Sequence, residues 1–368
     1  MIRLGLYGTG NRTKALLDSL CNDDFYKVHG AYDLNRDSAE ALTSKYGGAV
    51  CRTPEELVSL EGVDAFLISL SPFAHAEALR KTIPAGKPVF VEKPVSFSAS
   101  EVAELAALAE QHRVPVQVGF MRRYLPESIA ALAYLRENDP GRLFCVDCNW
   151  FHHGDTEMNF CLFQQPGNFR LQVSQIPFHC CHMLDLLLLM GGPVRRVSSQ
   201  RIKVTERPYP SPDDLIANLE FANGANGRFH YSSMVYYTEM SYRFHAENYS
   251  FKMNAGMNQL EFFRRPRFRT SQIGSAPSER KDFHSFNESY ESFCRPQIVN
   301  FSQSLNAANE NIMYDFVRMV RDGVPPAADL RTAVRVQGLA EAIEESGRLG
   351  RPVELATDGQ PLKEKGLS

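Results

Sequence analysis

"GLYGTGNRT", residues 5–13, decides how this chain is read. A short apolar strand, "IRLGLY" (2–7), runs into it, and a helix-spaced segment, "TKALLDSL" (13–20), follows. Gly8 and Gly10 supply the first two glycines of a G-x-G-x-x-G turn, with Thr13 where the third would stand. The first glycine permits the tight turn. The second lets a pyrophosphate approach the backbone at a helix N-terminus, where Asn11 and Arg12 also sit. The third mainly eases helix–strand packing, so Thr13 weakens the match without removing it. Asp33 ends the next strand, "KVHGAYD" (27–33). A carboxylate there binds both ribose hydroxyls of NAD and repels a 2′-phosphate. Arg36 follows closely and would attract one, so NADP stays open beside NAD.

The same rhythm continues to residue 120. "SAEALTSKY" (38–46), "TPEELVSL" (53–60) and "SASEVAELAALAEQHR" (98–113) read as helices; Thr53/Glu56 and Ser98/Glu101 form capping boxes. "VDAFLISL" (63–70), "PVFVEKP" (88–94) and "VPVQVGF" (114–120) read as strands buried on both faces. Strands alternating with helices predict a parallel sheet. After residue 122 the pattern changes. A helix at 126–138 and a strand at 142–151 are followed by "VSQIPFHCCHMLDLLLLMGG" (173–192), read as one helix. Successive strand-like runs then cover 194–204, 214–222, 226–237, 241–253 and 258–263, with a hairpin signal in "FANGANG" (221–227). Two helices, 310–323 and 331–350, close the folded part. The expectation is an α/β Rossmann domain over 1–122, an α+β domain with an open, mainly antiparallel sheet over 123–350, and a frayed tail over 351–368. Residues 264–300 read as a long loop.

Composition narrows the function. The chain has 368 residues, a net charge of −3 and 43% hydrophobic residues. That fits two globular domains and lacks the basic footprint of a nucleic-acid binder; the basic "RRPRFR" (264–269) is short. No apolar run reaches membrane-spanning length and no signal-peptide pattern opens the chain, so a cytoplasmic protein without membrane contact is expected. The 8 cysteines are too sparse for a disulfide scaffold. "CVDC" (145–148) has metal-ligand spacing but reads as alternating strand residues.

"VFVEKPVSF" puts Glu92, Lys93 and Pro94 at the carboxyl end of a buried parallel strand, the edge where open α/β sheets bind ligands. A lysine there, next to a nicotinamide, can hold a substrate oxygen and help move its proton. With "GTGNR" (8–12), "PFAHAE" (72–77), "GFMRRYLP" (119–126), "HCCHMLDLLLLMGG" (179–192), "LEFANGANG" (219–227) and "YDFVRMVRDG" (314–323), these residues make a chain that resembles the glucose–fructose oxidoreductase / inositol dehydrogenase (Gfo/Idh/MocA) family over nearly its whole length. The resemblance implies NAD(P)-dependent oxidation of an alcohol in a sugar or cyclic polyol, or the reverse reduction. The site would lie between the domains, and homodimers or homotetramers would form through the C-terminal sheet. Lys93 matches the family's catalytic lysine. Ser71, His75, Glu92 and Arg123 are expected at the cofactor, and Tyr124, Arg170, Gln175 and Asp185 near the substrate.

"PFHCCHMLD" (177–185) is where the chain departs from that family. Aligning His182 and Asp185 with the family's H-x-x-D puts Phe178 where a catalytic aspartate is usual. Three readings follow. Lys93 and His182 do the proton work, with His179 or Gln175 partly replacing the aspartate. Alternatively His179, His182 and Asp185 hold a metal. In the third, the segment no longer catalyses redox chemistry, and the protein binds a cofactor without turnover or uses it for elimination or glycoside cleavage.

Overall fold

The computed structural model describes residues 1–20, 25–154, 173–206, 210–255, 258–264, 296–302 and 305–362. The N-terminal part builds six parallel strands: β1 (Ile2–Tyr7), β2 (Tyr26–Tyr32), β3 (Ala49–Val50), β4 (Ala65–Ile68), β5 (Val89–Val91) and β6 (Val116–Val118). Their spatial order is β3-β2-β1-β4-β5-β6, that of a dinucleotide-binding sheet. The connecting helices are α1 (Asn11–Ser19), α2 (Arg36–Tyr46), α3 (Pro54–Ser59), α4 (Pro72–Thr82) and α5 (Ala99–His112). Both predicted capping boxes start helices: Thr53 accepts from the Glu56 amide and Ser98 from the Glu101 amide. β4, β5 and β6 are buried on both faces, which explains their unbroken apolar runs.

A 3₁₀ turn, Met121–Tyr124, leads through α6 (Pro126–Glu137) to the second sheet. Its strands are β7 (Leu143–His153), β8 (Val194–Ile202), β9 (Asp214–Phe221), β10 (Asn226–Ser232), β11 (Met234–Ala246), β12 (Tyr249–Asn254), β13 (Gln259–Arg264), β14 (Gln297–Asn300) and β15 (Val353–Glu354). All neighbours are antiparallel except the central pair β7 and β10. The turns between β10 and β12 differ from expectation. The chain breaks at buried Ser233, whose amide bonds to the Asp213 carbonyl, and again at Glu247–Asn248, whose amides bond to Arg142 and Pro140. β11 thereby becomes one long strand.

Three other expectations are corrected. The 173–192 helix is two: α7 (Gln175–Phe178) and α8 (Cys181–Gly191), separated at His179–Cys180. The C-terminal helices α9 (Leu305–Asp322) and α10 (Leu330–Leu349) do not serve the second sheet alone. Gln117 of β6 donates to the Ile312 carbonyl, the Val118 amide bonds to the Ala328 carbonyl, and Phe90 packs edge-on to Phe316. The tail is not frayed over 351–362. β15 pairs with β8, Val353 and Leu355 are buried, and Gly359 lies so close to α10 that a Cβ on Gly338 would meet its carbonyl oxygen at 2.0 Å. Apolar residues at alternate positions found a sheet edge and a helix to cover them. Most of the 264–300 stretch lies outside the described residues.

Deleting residues 351–368 is therefore expected to destabilise the protein by about 2–4 kcal/mol, the scale of unburying Val353 and Leu355. Urea unfolding of the truncated chain checks this; an unchanged midpoint would return the segment to the status of a tail.

Candidate active site

The carboxyl ends of β5 and β6 meet the start of α8: Lys93, after β5, reaches Phe178, and Phe120, after β6, meets the His182 ring. Gly8 has φ +101°, and a Cβ there would meet the Ser69 carbonyl oxygen at 2.1 Å, so only glycine fits. At Gly10, the N-cap of α1, a Cβ would meet nothing within 4 Å and no side chain caps the helix. The first amides of α1 are thus left facing an open approach, which suits a diphosphate. Asp33 accepts from the Thr9 amide and hydroxyl at 2.7 and 2.9 Å and from the Asn35 amide at 2.9 Å. Those bonds fix its carboxylate beside the turn. Asn11 opens α1 and is exposed, and the Ser71 hydroxyl, at the start of α4, makes no cap bond.

Other residues expected at the cofactor are engaged elsewhere. Arg12 pairs with Glu92 at 2.6 Å and donates to Asn309 at 2.7 Å, tying α1 to β5 and α9. His75 is fully buried, with Nδ1 2.8 Å from the Pro94 carbonyl oxygen and Nε2 accepting from the Leu70 amide at 3.2 Å. Arg123 and Asp185, expected at cofactor and substrate respectively, hold each other. Two bonds of 2.6 Å join them, and Asp185 is completely buried. Burial pushes the Asp185 carboxyl above its ordinary range, and Arg123 opposes that shift. The Arg123 guanidinium also donates to the Ala327 carbonyl. Tyr124, expected to line the pocket, donates to Asp315 of α9 at 2.7 Å. In each case a polar group shut away from water has found a partner inside the protein. Arg170 lies outside the described residues.

Lys93 does reach the cleft. Its Nζ donates to the Phe178 carbonyl at 3.1 Å and stands 4.8 Å from the centre of the Phe178 ring. The Phe178 ring thus offers the ammonium a π face, while the backbone carbonyl of the same residue accepts its hydrogen bond. His182 opens α8, buried, with its ring edge-on to Phe120. Burial holds its pKa well below the usual histidine value, and the charges of Lys93, Arg122, His179 and Arg12 push the same way. The imidazole is therefore neutral, a proton acceptor beside an ammonium. His179 does not share a helical face with His182, because the helix breaks between them; its ring packs against Phe178, with centroids 4.8 Å apart. The cysteines are packing. Burial lifts the Cys181 thiol to about 11, and it donates to the Phe178 carbonyl. Cys145 and Cys148, three apart on β7, fall on opposite faces of the sheet. Among the described residues no group of three or more His, Cys, Asp or Glu is arranged to hold a metal ion.

From sequence, the second sheet and residues 151–160 leaving its first strand are expected to wall the site, but Trp150 was not singled out. Gly191 at the end of α8 packs on Phe221, and Met183 near its start lies over Tyr242, the strand partner of Cys148. The helix therefore runs antiparallel to β7, with its amino end toward Cys148. Among the described residues, Trp150 Nε1, Gln175 Oε1 and His182 Nδ1 are buried without a hydrogen-bond partner. The period-two alternation of "CVDCNWFHH" contained Trp150's inward orientation, but not what it would face. Arg122 was also passed over. Its charge acts on His182, Tyr242 and Glu127, while its neighbour Arg123 faces the domain junction.

Two outcomes follow. Asp185→Ala would leave the Arg123 charge buried and unpaired and cost about 3–5 kcal/mol in urea unfolding; a change below about 1 kcal/mol would show the pair to be dispensable. Native His75 and His182 have depressed pKa values, so the unfolded chain binds more protons. The stability they confer is complete above about pH 6.5 and is lost as pH falls below it, by up to about 1.4 kcal/mol per pH unit for each. Unfolding titrations at pH 7.5 and 5.5 should show a shallower loss in His182→Asn than in the wild type.

Residues 2–120 match the NAD-binding Rossmann-fold domain of the Gfo/Idh/MocA oxidoreductase family, and residues 177–355 match its C-terminal α/β domain. Among curated relatives, the chain is 26% identical over 231 residues to an uncharacterized oxidoreductase of Streptococcus pneumoniae, covering 61% of this chain and 60% of the relative. It is 25% identical over 222 residues to glucose-6-phosphate 3-dehydrogenase of Bacillus subtilis, covering 60% and 63%. The matched region thus spans about three-fifths of the length of these relatives. Among solved structures, levoglucosan dehydrogenase in complex with NADH and levoglucosan superposes with a TM-score of 0.80 at 16% identity, covering 97% of this chain and 99% of that one. The WlbA dehydrogenase of Bordetella pertussis, in complex with NADH and UDP-GlcNAcA, gives 0.77 at 18% identity, covering 98% of each chain; both likenesses concern the fold. With both family domains matched in order along its length, the chain belongs to the Gfo/Idh/MocA oxidoreductase family.

Proposed function

We propose that this protein is an NAD-dependent dehydrogenase or reductase acting on a hydroxyl or keto group of a sugar, sugar derivative or cyclic polyol. One observation carries the reading: an ammonium and a neutral imidazole stand near each other at the carboxyl edge of a sheet whose first turn is shaped for a dinucleotide, and His182, Gln175 and Trp150 each bury a polar atom without a partner among the described residues. A buried polar atom without a partner costs about 1–3 kcal/mol; sugar hydroxyls, which both donate and accept, would satisfy all three. Relatives named glucose-6-phosphate 3-dehydrogenase and inositol 2-dehydrogenase support the substrate class.

The residues would divide the work as follows. The α1 amides, Gly10 and the Asp33 carboxylate hold the dinucleotide, and Asp33 disfavours a 2′-phosphate. NAD, when bound, supplies the hydride acceptor. Lys93 Nζ, kept in place by the Phe178 carbonyl and ring, holds the substrate oxygen. The neutral His182 accepts its hydroxyl proton during oxidation and returns it during reduction. Gln175 and Trp150 fix the orientation of the sugar ring. Assembly through the open face of the second sheet and a cytoplasmic setting belong to the same proposal. Phe178 favours a second reading, a cofactor-binding protein without turnover, because the family's carboxylate is missing.

Absorbance at 340 nm with NAD and a panel of sugars, sugar phosphates and inositols tests the reading. Turnover is expected for at least one member, and Lys93→Ala should lower kcat by about 10²–10⁴. NADH binding with no turnover anywhere in the panel supports the second reading, and so does an unaffected Lys93→Ala. Asp33→Gly should narrow the preference for NAD over NADP by tenfold or more; an unchanged ratio removes Asp33 from cofactor choice.

A further inference from the structure

His75 lies behind the cleft, out of contact with any ligand the mechanism needs, yet it joins the two loops that the mechanism relies on. One loop, Ser69–Leu70, follows β4 and packs directly under the dinucleotide turn. The space a Gly8 Cβ would need is filled by the Ser69 carbonyl and the Leu70 side chain, at 2.1 and 2.9 Å. The other loop, Lys93–Pro94, follows β5 and carries the ammonium. The Leu70 amide donates to His75 Nε2 at 3.2 Å, and the Pro94 carbonyl oxygen lies 2.8 Å from His75 Nδ1. Both bonds form only in one tautomer, with the proton on Nδ1 and the lone pair on Nε2. The ring is completely buried, so no water substitutes for either partner. A continuous line of contacts therefore runs from Gly8 through Ser69–Leu70, His75 and Pro94 to Lys93, and on to the Phe178 carbonyl.

We propose that His75 is a positioning residue that fixes the height of Lys93 relative to the dinucleotide turn, so that occupation of the turn and placement of the ammonium depend on one buried imidazole. This rests on the reading of Lys93 as the residue that holds the substrate oxygen. A histidine that merely filled the core would give the same burial. Its loss, however, would disturb both loops together, whereas a brace can be cut at one end.

Three substitutions cut it differently. His75→Asn keeps a donor near the Nδ1 position, toward Pro94, and loses the acceptor for Leu70. His75→Gln keeps an acceptor near the Nε2 position and loses the bond to Pro94. His75→Phe loses both. NADH affinity is read by fluorescence titration. The environment of Lys93 is read by trace acetylation with acetic anhydride and peptide mass spectrometry, with exposed Lys27 as the internal standard. Asparagine should weaken NADH binding by fivefold or more and leave Lys93 labelling within twofold of wild type. Glutamine should leave NADH affinity within twofold and change Lys93 labelling by fivefold or more. Phenylalanine should do both. Equal effects of all three on both readouts, or unchanged Lys93 labelling in the glutamine and phenylalanine variants, overturn the proposal. Should the variants not fold, long-range ¹H–¹⁵N spectra of the histidine-labelled wild type decide: a protonated Nδ1 with an unprotonated Nε2 supports the brace, and the other tautomer overturns it. None of these readouts needs a substrate. A panel without turnover would therefore sink the dehydrogenase reading while leaving the brace standing, and the converse holds equally.

Discussion

The bidentate pair between Arg123 and Asp185 is the constraint on which the site depends. Arg123 leaves the last strand of the first sheet, and Asp185 lies one turn into the helix that covers the second. Sealed from water, each charge is costly without the other, so the pair tolerates one relative placement of the two domains. That placement sets His182, three residues before Asp185, opposite Lys93. The C-terminal helices reinforce it from the far side, through Arg12 to Asn309 and Tyr124 to Asp315. The two domains described by sequence are thus one body mechanically. α10 belongs to both, because it packs against β6 of the first sheet and β8 of the second, while α9 packs on the first domain.

Within this frame the absent acid at position 178 changes character. A carboxylate there would hold the lysine by charge. Phenylalanine offers it a ring face, while the backbone carbonyl of the same residue accepts from Nζ. His182 feels the consequence: the positive charges of Lys93 and Arg122 add to burial in keeping its imidazole neutral.

Much of the first domain was legible in the sequence because its signals are local. The glycine turn, the capping boxes and the doubly buried strands each occupy a few consecutive residues and need no knowledge of distant partners. Lys93 was legible for the same reason, as a lysine at a strand's carboxyl end. The partners of the polar residues were not legible in the sequence. Arg12, Glu92, Arg123, Tyr124 and Asp185 looked like ligand-facing groups because they sit among motif residues; each is instead bonded to a residue at least sixty positions away. The break at His179–Cys180 was hidden by an apolar run with helical spacing on both sides.

The sequence by itself determined the dinucleotide sheet and the lysine at its edge, since periodicity and turn chemistry act over short distances, and its motifs carried the resemblance to an oxidoreductase family. Only the tertiary structure decided which charged residues pair with one another across the domain junction. Burial makes a lone charge costly, and the partner that relieves it is chosen by proximity in space, which no short stretch of sequence records.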